Sequence, residues 1–213
     1  MSDIANEQSL VQPGYFGSSS DNILIIDNFV ERQDLETINK FFPLIDEWEN
    51  GKDDEFNDDG TCIYDASYWR DRMCSGDILK RIAPDIFNLI NKYIHKMASA
   101  ISDKYNVTVS SRPPVLIRWL PGNVQSPHAD KQLNDGTPNP FPTYDINSII
   151  YWNDSFTGGS LYYPQHDVEV KVKAGTAVAH PGDINYLHGV REITSGERWT
   201  TPSFYTVTQL GRK

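Results

Sequence analysis

His128, Asp130, His188 and Arg198 are the residues whose types and order carry chemistry in this chain. Two imidazoles and one carboxylate can take one face of an octahedral ion and leave the opposite positions open, a donor set suited to Fe(II) that activates oxygen. The first two donors form an H-x-D pair, and the third is a lone histidine further along. Arg198, just beyond it, adds a fixed cation whose forked donors match a carboxylate through paired, charge-assisted hydrogen bonds. Together the four predict an iron site that also binds a dicarboxylate.

The chain has five histidines, and not all of them can be ligands. His95 sits within a helical pattern and His166 in a polar turn, so both read as bystanders. His180 competes with His188, because it also follows the H-x-D pair, but no arginine stands at the matching offset and context. Thr194, Ser195, Gly196 and Glu197 read as a hairpin turn, which predicts that the strands holding His188 and Arg198 are neighbours.

The residues around these four carry a family resemblance. The run from Arg118 and Trp119 through Pro121, Gly122 and Gln125 to His128 and Asp130 is similar to the iron-binding strand of the 2-oxoglutarate- and Fe(II)-dependent dioxygenases of the prolyl 4-hydroxylase type. Ile149-Ile150-Tyr151-Trp152-Asn153 resembles the family's central strand. Gly158-Gly159-Ser160-Leu161-Tyr162-Tyr163 resembles its "GGxLxF" element, and residues 173–178 its strand before the last ligand. His188 to Arg198 resembles its "HxVxxVxxGxR" close. The likeness covers roughly residues 23–208 in the same order and spacing.

The resemblance implies Fe(II) held by His128, Asp130 and His188, with 2-oxoglutarate paired to Arg198 and Trp119, Tyr151 and Thr200 as further co-substrate contacts. It implies O2 as the oxidant, ascorbate in support, and hydroxylation coupled to decarboxylation of 2-oxoglutarate to succinate and CO2. Asp130 favours hydroxylation over halogenation, since a small residue in its place would open a position for halide. A prolyl residue or another peptide side chain is the expected substrate. A small-molecule or nucleobase oxygenase is the alternative within the same chemistry. A non-catalytic, cupin-like metal-binding module is the alternative outside it, although structural sites usually fill every position from the protein.

Composition fits these readings. The 213 residues, 38% hydrophobic and 23% charged, suffice for one domain with a substantial core and no disulfide framework. Only Cys62 and Cys74 are present, and they read as two ordinary thiols in a reducing compartment. The net charge of -10 argues against tight nucleic-acid binding, which needs lysine and arginine on phosphates. No apolar run is long enough to span a membrane and the polar start has no secretory pattern, so a cytoplasmic location is expected.

The elements that must position the four residues can be read in outline. Residues 1–22, ending in a Ser-rich stretch, read as a flexible arm, and residues 23–213 as the dioxygenase domain. Helical spacing appears at 31–42 and again at 78–101, where Pro84 can begin the longer segment, so residues 31–101 form a helical support. The acidic stretch 46–60 reads as a solvated loop, because Asp53, Asp54, Asp58 and Asp59 lack the ligand alternation of a calcium loop. Short strands follow at 115–119, 147–152, 160–163, 168–172, 176–179, 185–190 and 199–207. The order predicts an α+β fold, and the resemblance implies a double-stranded β-helix (jelly-roll, cupin-like) core over residues 115–208, braced by the N-terminal helices. The Pro-rich loop 131–145, directly after the H-x-D pair, is a candidate substrate lid.

Overall fold

Apolar spacing and proline placement decide where the helices of this chain begin and which face they bury. The computed structural model describes residues 9–50, 53–56 and 62–211. Helix α1 (Arg32–Phe41) buries Ile38, and Asp34 in its first turn suits the positive end of the helix dipole. After the short α2 (Ala66–Trp69), capped by Asp65, the expected segment 78–101 divides in two: α3 (Gly76–Ile82) and α4 (Pro84–Tyr105). Ala83 precedes a proline and is pushed out of the helical region, to φ -150 and ψ 70, which breaks the run. Pro84 can then open α4, since a first-turn residue needs no N–H bond. One stripe of α4, including Ile86, Ile90, Ile94, Met97 and Ile101, is buried.

Fifteen strands among the described residues are β1 (Leu24–Ile26), β2 (Glu55–Phe56), β3 (Cys62–Tyr64), β4 (Met73–Ser75), β5 (Val107–Ser111), β6 (Val115–Trp119), β7 (Gln125–His128), β8 (Ile146–Tyr151), β9 (Phe156–Gly158), β10 (Leu161–Tyr163), β11 (Val168–Val170), β12 (Ala177–Pro181), β13 (His188–Val190), β14 (Ile193–Gly196) and β15 (Arg198–Leu210). They make an α+β architecture dominated by antiparallel sheets. The major sheet runs β1-β12-β8-β15-β6-β4, with β5 also on β15, and the minor sheet runs β11-β10-β13-β7.

Alternation along the strands divides the interior. On β8, Ile146 and Ile150 join the cluster formed with α4, which includes Ile90, Ile94 and Met97, while Tyr151 joins Leu161, Tyr163 and Val170 of the minor sheet. The helices therefore cover one face of the major sheet, and the minor sheet covers part of the other. No described helix is long and apolar enough to cross a membrane.

Two expectations need correction. The segment 194–197 does not close a hairpin between the strands of His188 and Arg198: β14 pairs with β9, β13 lies in the minor sheet and β15 in the major one. The arm is also packed over the part that is described. Val11 is 2% exposed, and its carbonyl accepts from Lys131 Nζ at 2.7 Å. The same ammonium pairs with the fully buried Asp145 carboxylate, which also accepts from Ser9 Oγ at 2.6 Å. A buried ion pair needs its remaining valences met by hydrogen bonds, and the N-terminal segment supplies them. Residues 1–8 of the arm, and Asp58 and Asp59 of the acidic loop, lie outside the described residues.

Candidate metal centre

His128 ends β7 and His188 begins β13, and the two are direct partners across that antiparallel pair. Facing Cα positions in a ladder bring side chains of one face together, and the imidazole centroids are 4.5 Å apart. Asp130 follows in a bend. Its N–H and that of Lys131 both donate to the Gly182 carbonyl, at 3.1 and 2.9 Å. Only glycine fits there, because a Cβ at 182 would lie 2.0 Å from the Tyr144 carbonyl oxygen. Asp130 Oδ1 stands 3.5 Å from His128 Nε2, and Oδ2 stands 3.4 Å from His188 Nε2. The donor atoms of the three residues all lie within 4.8 Å of one another, close enough to share one ion.

Backbone carbonyls fix which ring nitrogen faces the centre. His128 Nδ1 donates to Ser126 O at 3.0 Å and His188 Nδ1 to Tyr186 O at 3.2 Å. A carbonyl only accepts, so each Nδ1 carries the hydrogen and each Nε2 offers its lone pair inward, the arrangement by which outer groups orient metal-binding histidines. Asn147 Nδ2 donates to Asp130 Oδ2 at 2.6 Å and orients the carboxylate, and Gln125 Nε2 lies 3.3 Å from His128 Nε2, on the lone pair that an ion would take in its place. Burial opposes ionisation of Asp130, but the imidazoles of His188 and His128 outweigh it and hold the carboxyl well below its usual range. Burial drives His188 well below its ordinary value, with His180 adding to the effect. For His128 burial acts the same way, yet the hydrogen bond and charge of Asp130 win and raise it.

Arg198 approaches from the other sheet. It begins β15, opposite Trp119 of β6, and Thr200 on the same strand pairs with Tyr151 of β8. Gly159 permits the close packing: at φ +65, a Cβ there would meet Ile193 at 2.3 Å and the Arg198 stem at 3.1 Å. The guanidinium is 1% exposed and lies 4.9 Å from the Trp119 ring and 5.0 Å from that of Tyr151. Its Nη2 donates to Tyr151 Oη at 3.3 Å, while Nε and Nη1 have no partner among the described residues. Trp119 Nε1 donates to Thr200 Oγ1 at 3.2 Å. Burial lowers the Arg198 pKa, with Tyr151 opposing.

One cavity of about 430 Å³ joins the two walls; His128, Asp130, His188, Trp119, Arg198 and Thr200 all line it. Tyr151 is not part of the lining; its hydroxyl accepts from Arg198 behind the wall. His180 is fully buried and also lines the cavity, its ring 4.2 Å from that of His188, but it lies outside the three-residue donor group. His166 is bound to Asn185 O at 2.8 Å and stacked on Tyr186. Sequence reasoning missed Asn147, although a polar residue within the apolar run Ile146–Tyr151 was a usable signal. It also missed Asn139, whose Nδ2 holds the Asp130 carbonyl at 2.8 Å.

No family model matches the chain. Rat prolyl 3-hydroxylase 2 is 29% identical over 98 residues, 40% of this chain. That alignment spans 14% of the length of the curated relative. Among solved structures, the viral collagen prolyl hydroxylase of Paramecium bursaria Chlorella virus-1, in its 2OG complex, superposes with a TM-score of 0.59 at 14% identity, covering 88% of this chain and 97% of that one. A prolyl hydroxylase from Trichoplax adhaerens, in complex with a hypoxia inducible factor oxygen degradation domain peptide fragment, gives 0.57 at 14% identity, covering 88% and 84%. The chain shares their fold, in agreement with the resemblance carried by its motifs.

Proposed function

We propose that this chain is an Fe(II)- and 2-oxoglutarate-dependent dioxygenase that hydroxylates a prolyl residue or another peptide side chain. The observation that carries the reading is the meeting, in one cavity, of a three-donor metal face and a buried guanidinium with two donor nitrogens unpaired among the described residues. A structural ion would not require that cation, and a hydrolase built on the same triad would give it no task. Successive strands that pass between the major and minor sheets, as β6, β7, β8, β10, β12, β13 and β15 do, support reading the core as a double-stranded β-helix.

His128, Asp130 and His188 would hold the iron, and their pinned tautomers reduce the rearrangement that binding requires. Arg198 would take the distal carboxylate of 2-oxoglutarate. Tyr151 fixes one side of its guanidinium, and Trp119 and Thr200 bound the same end of the cavity. The bound metal and co-substrate would supply the oxidising power, with succinate and CO2 as co-products. The protein's share is to orient the reactants and exclude water. The peptide reading is supported by the structural relatives, one of which was solved with a peptide bound.

Anaerobic titration of the purified protein with Fe(II) and then 2-oxoglutarate tests the cofactor pair. A visible charge-transfer band that requires both components is expected. Its absence in folded, iron-loaded protein would overturn the proposal.

A further inference from the structure

We infer that the cavity admits a neutral peptide segment and that the open face of Phe141 stacks on an aromatic side chain of that segment. This rests on the oxygenase reading, which assigns Arg198 to the co-substrate.

Among the described residues that line the cavity, Asp130 and Arg198 are the only charged ones except for any charge on a histidine. The chain is rich in acids, yet among the described residues none besides Asp130 lines this wall. With Asp130 among the imidazoles and Arg198 on the co-substrate, a phosphate, ammonium or free carboxylate entering the cavity would be desolvated without a counter-charge. The reacting end of the substrate is therefore uncharged, which disfavours nucleotides and free amino acids.

The second observation is a ladder of rings. Phe141 stacks on Tyr144 with centroids 5.0 Å apart and planes 12° from parallel, and Tyr144 stacks on Phe204 at 4.2 Å and 16°. All three line the cavity. Tyr144 has a ring on each side, whereas Phe141 ends the ladder and is 37% exposed. Offset-parallel rings are a favoured aromatic geometry, so a further ring fits the free end. The end is also fixed relative to the metal face. Phe141 N–H donates to Asn139 Oδ1 at 2.8 Å, and Asn139 Nδ2 donates to the Asp130 carbonyl at 2.8 Å. A rung held in place before binding loses little freedom when the substrate stacks on it.

Trp69 and Trp119 line the cavity, so tryptophan emission can follow binding without turnover. The probes are acetyl-Phe-Pro-amide, acetyl-Ala-Pro-amide and free Phe-Pro, each titrated into the wild type and Phe141→Leu in the presence of Mn(II) and saturating 2-oxoglutarate, so that Arg198 is occupied. In the wild type the acetylated Phe peptide should bind about two- to tenfold more tightly than the Ala peptide, the range expected for one aromatic pair. In Phe141→Leu that advantage should vanish while affinity for the Ala peptide persists, which also reports that the variant is folded. Free Phe-Pro should bind at least about tenfold more weakly than its blocked form, as an unpaired charge requires. Equal binding of blocked and free peptides, an advantage that survives Phe141→Leu, or no saturable binding of any probe would overturn the inference. A ring preference in protein that forms no charge-transfer band would sink the oxygenase reading and leave the peptide preference standing.

Discussion

Replacing Arg198 by methionine should stabilise the free protein while removing its affinity for 2-oxoglutarate. Two guanidinium nitrogens, Nε and Nη1, are buried with no partner among the described residues. A buried donor left unsatisfied costs about 1–3 kcal/mol, so the pair costs about 2–6 kcal/mol. The rings of Trp119 and Tyr151, at 4.9 and 5.0 Å, return about 1–4 kcal/mol between them. The midpoints of the two, about 4 and about 2.5 kcal/mol, differ by about 1–2 kcal/mol, which is the expected gain in Arg198→Met, a change that keeps the apolar stem and drops the charge. For a chain of this size it raises the melting temperature by about 2–8 °C. Binding moves the other way: a buried carboxylate without its cation loses about 3–5 kcal/mol, a weakening of about 10²- to 10³-fold or more. Thermal melts with Mn(II), with and without 2-oxoglutarate, read both effects. The wild type should melt higher with the co-substrate; the variant should start higher and gain nothing at concentrations that saturate the wild type. A variant that melts lower and still responds to 2-oxoglutarate would refute the reasoning in both halves.

Three further outcomes follow from the same geometry. His188→Ala should abolish measurable Co(II) binding in calorimetry, whereas His180→Ala should retain it within about tenfold, as expected of a neighbour that supports a ligand; equal losses in two folded variants would move the third ligand. Lys131→Met should destabilise the protein by about 3–5 kcal/mol in urea melts, because it leaves the Asp145 carboxylate buried and unpaired; a loss below about 1 kcal/mol would show that water reaches the pair. The metal-free protein should lose stability as pH falls from 7 to 5. Burial depresses His188 and His180, so below about 6.5 the unfolded chain takes up protons that the folded chain refuses, and the stability present above that value declines. His128, raised by Asp130, contributes in the opposite sense with one proton against two. A flat profile from pH 7 to 5, or one no shallower in His180→Phe, would contradict this sign.

Local chemistry made the candidate donor residues legible in the sequence, and long-range pairing hid the rest. His128 and Asp130 are two residues apart, and strands such as β6, β8 and β12 announce themselves by apolar runs. Strand β7 does not: Gln125, Ser126, Pro127 and His128 show no alternation, and its status comes from pairing with β13. The misread hairpin has the same cause. Ser195 and Gly196 carry turn chemistry, and Gly196 does take φ +74, but β14 is claimed by β9 rather than folding back on β13. Nor could a window around residues 9–22 reveal that Lys131 and Asp145 bury a charge pair whose last acceptors are Ser9 Oγ and the Val11 carbonyl. Polarity near the terminus read as flexibility because the partner that uses it lies more than a hundred residues away.

Four of the eight buried side-chain atoms without a partner among the described residues belong to residues of the cavity wall. Asn147 Oδ1, His180 Nε2 and the Arg198 Nε and Nη1 are buried without partners, and all three residues line the cavity. Tyr163 Oη is in the same condition, with its ring 5.3 Å from that of His180 and 6.0 Å from that of His188. Away from the cavity the orphans are Arg72 Nη2, Arg118 Nε and Ser203 Oγ, and the rest of the core is closed by apolar contacts around α4 and the major sheet and by a buried ion pair whose oxygens and hydrogens are shared with backbone. Folding alone does not favour so many orphaned polar atoms together, since each costs stability that an apolar substitute would restore. Their concentration around the His128, Asp130 and His188 donors is what a site looks like when its sequence is held by what it binds rather than by the fold. The Arg198→Met melt measures that trade directly, because a stabilised but unresponsive protein is the signature of a residue kept for its ligand.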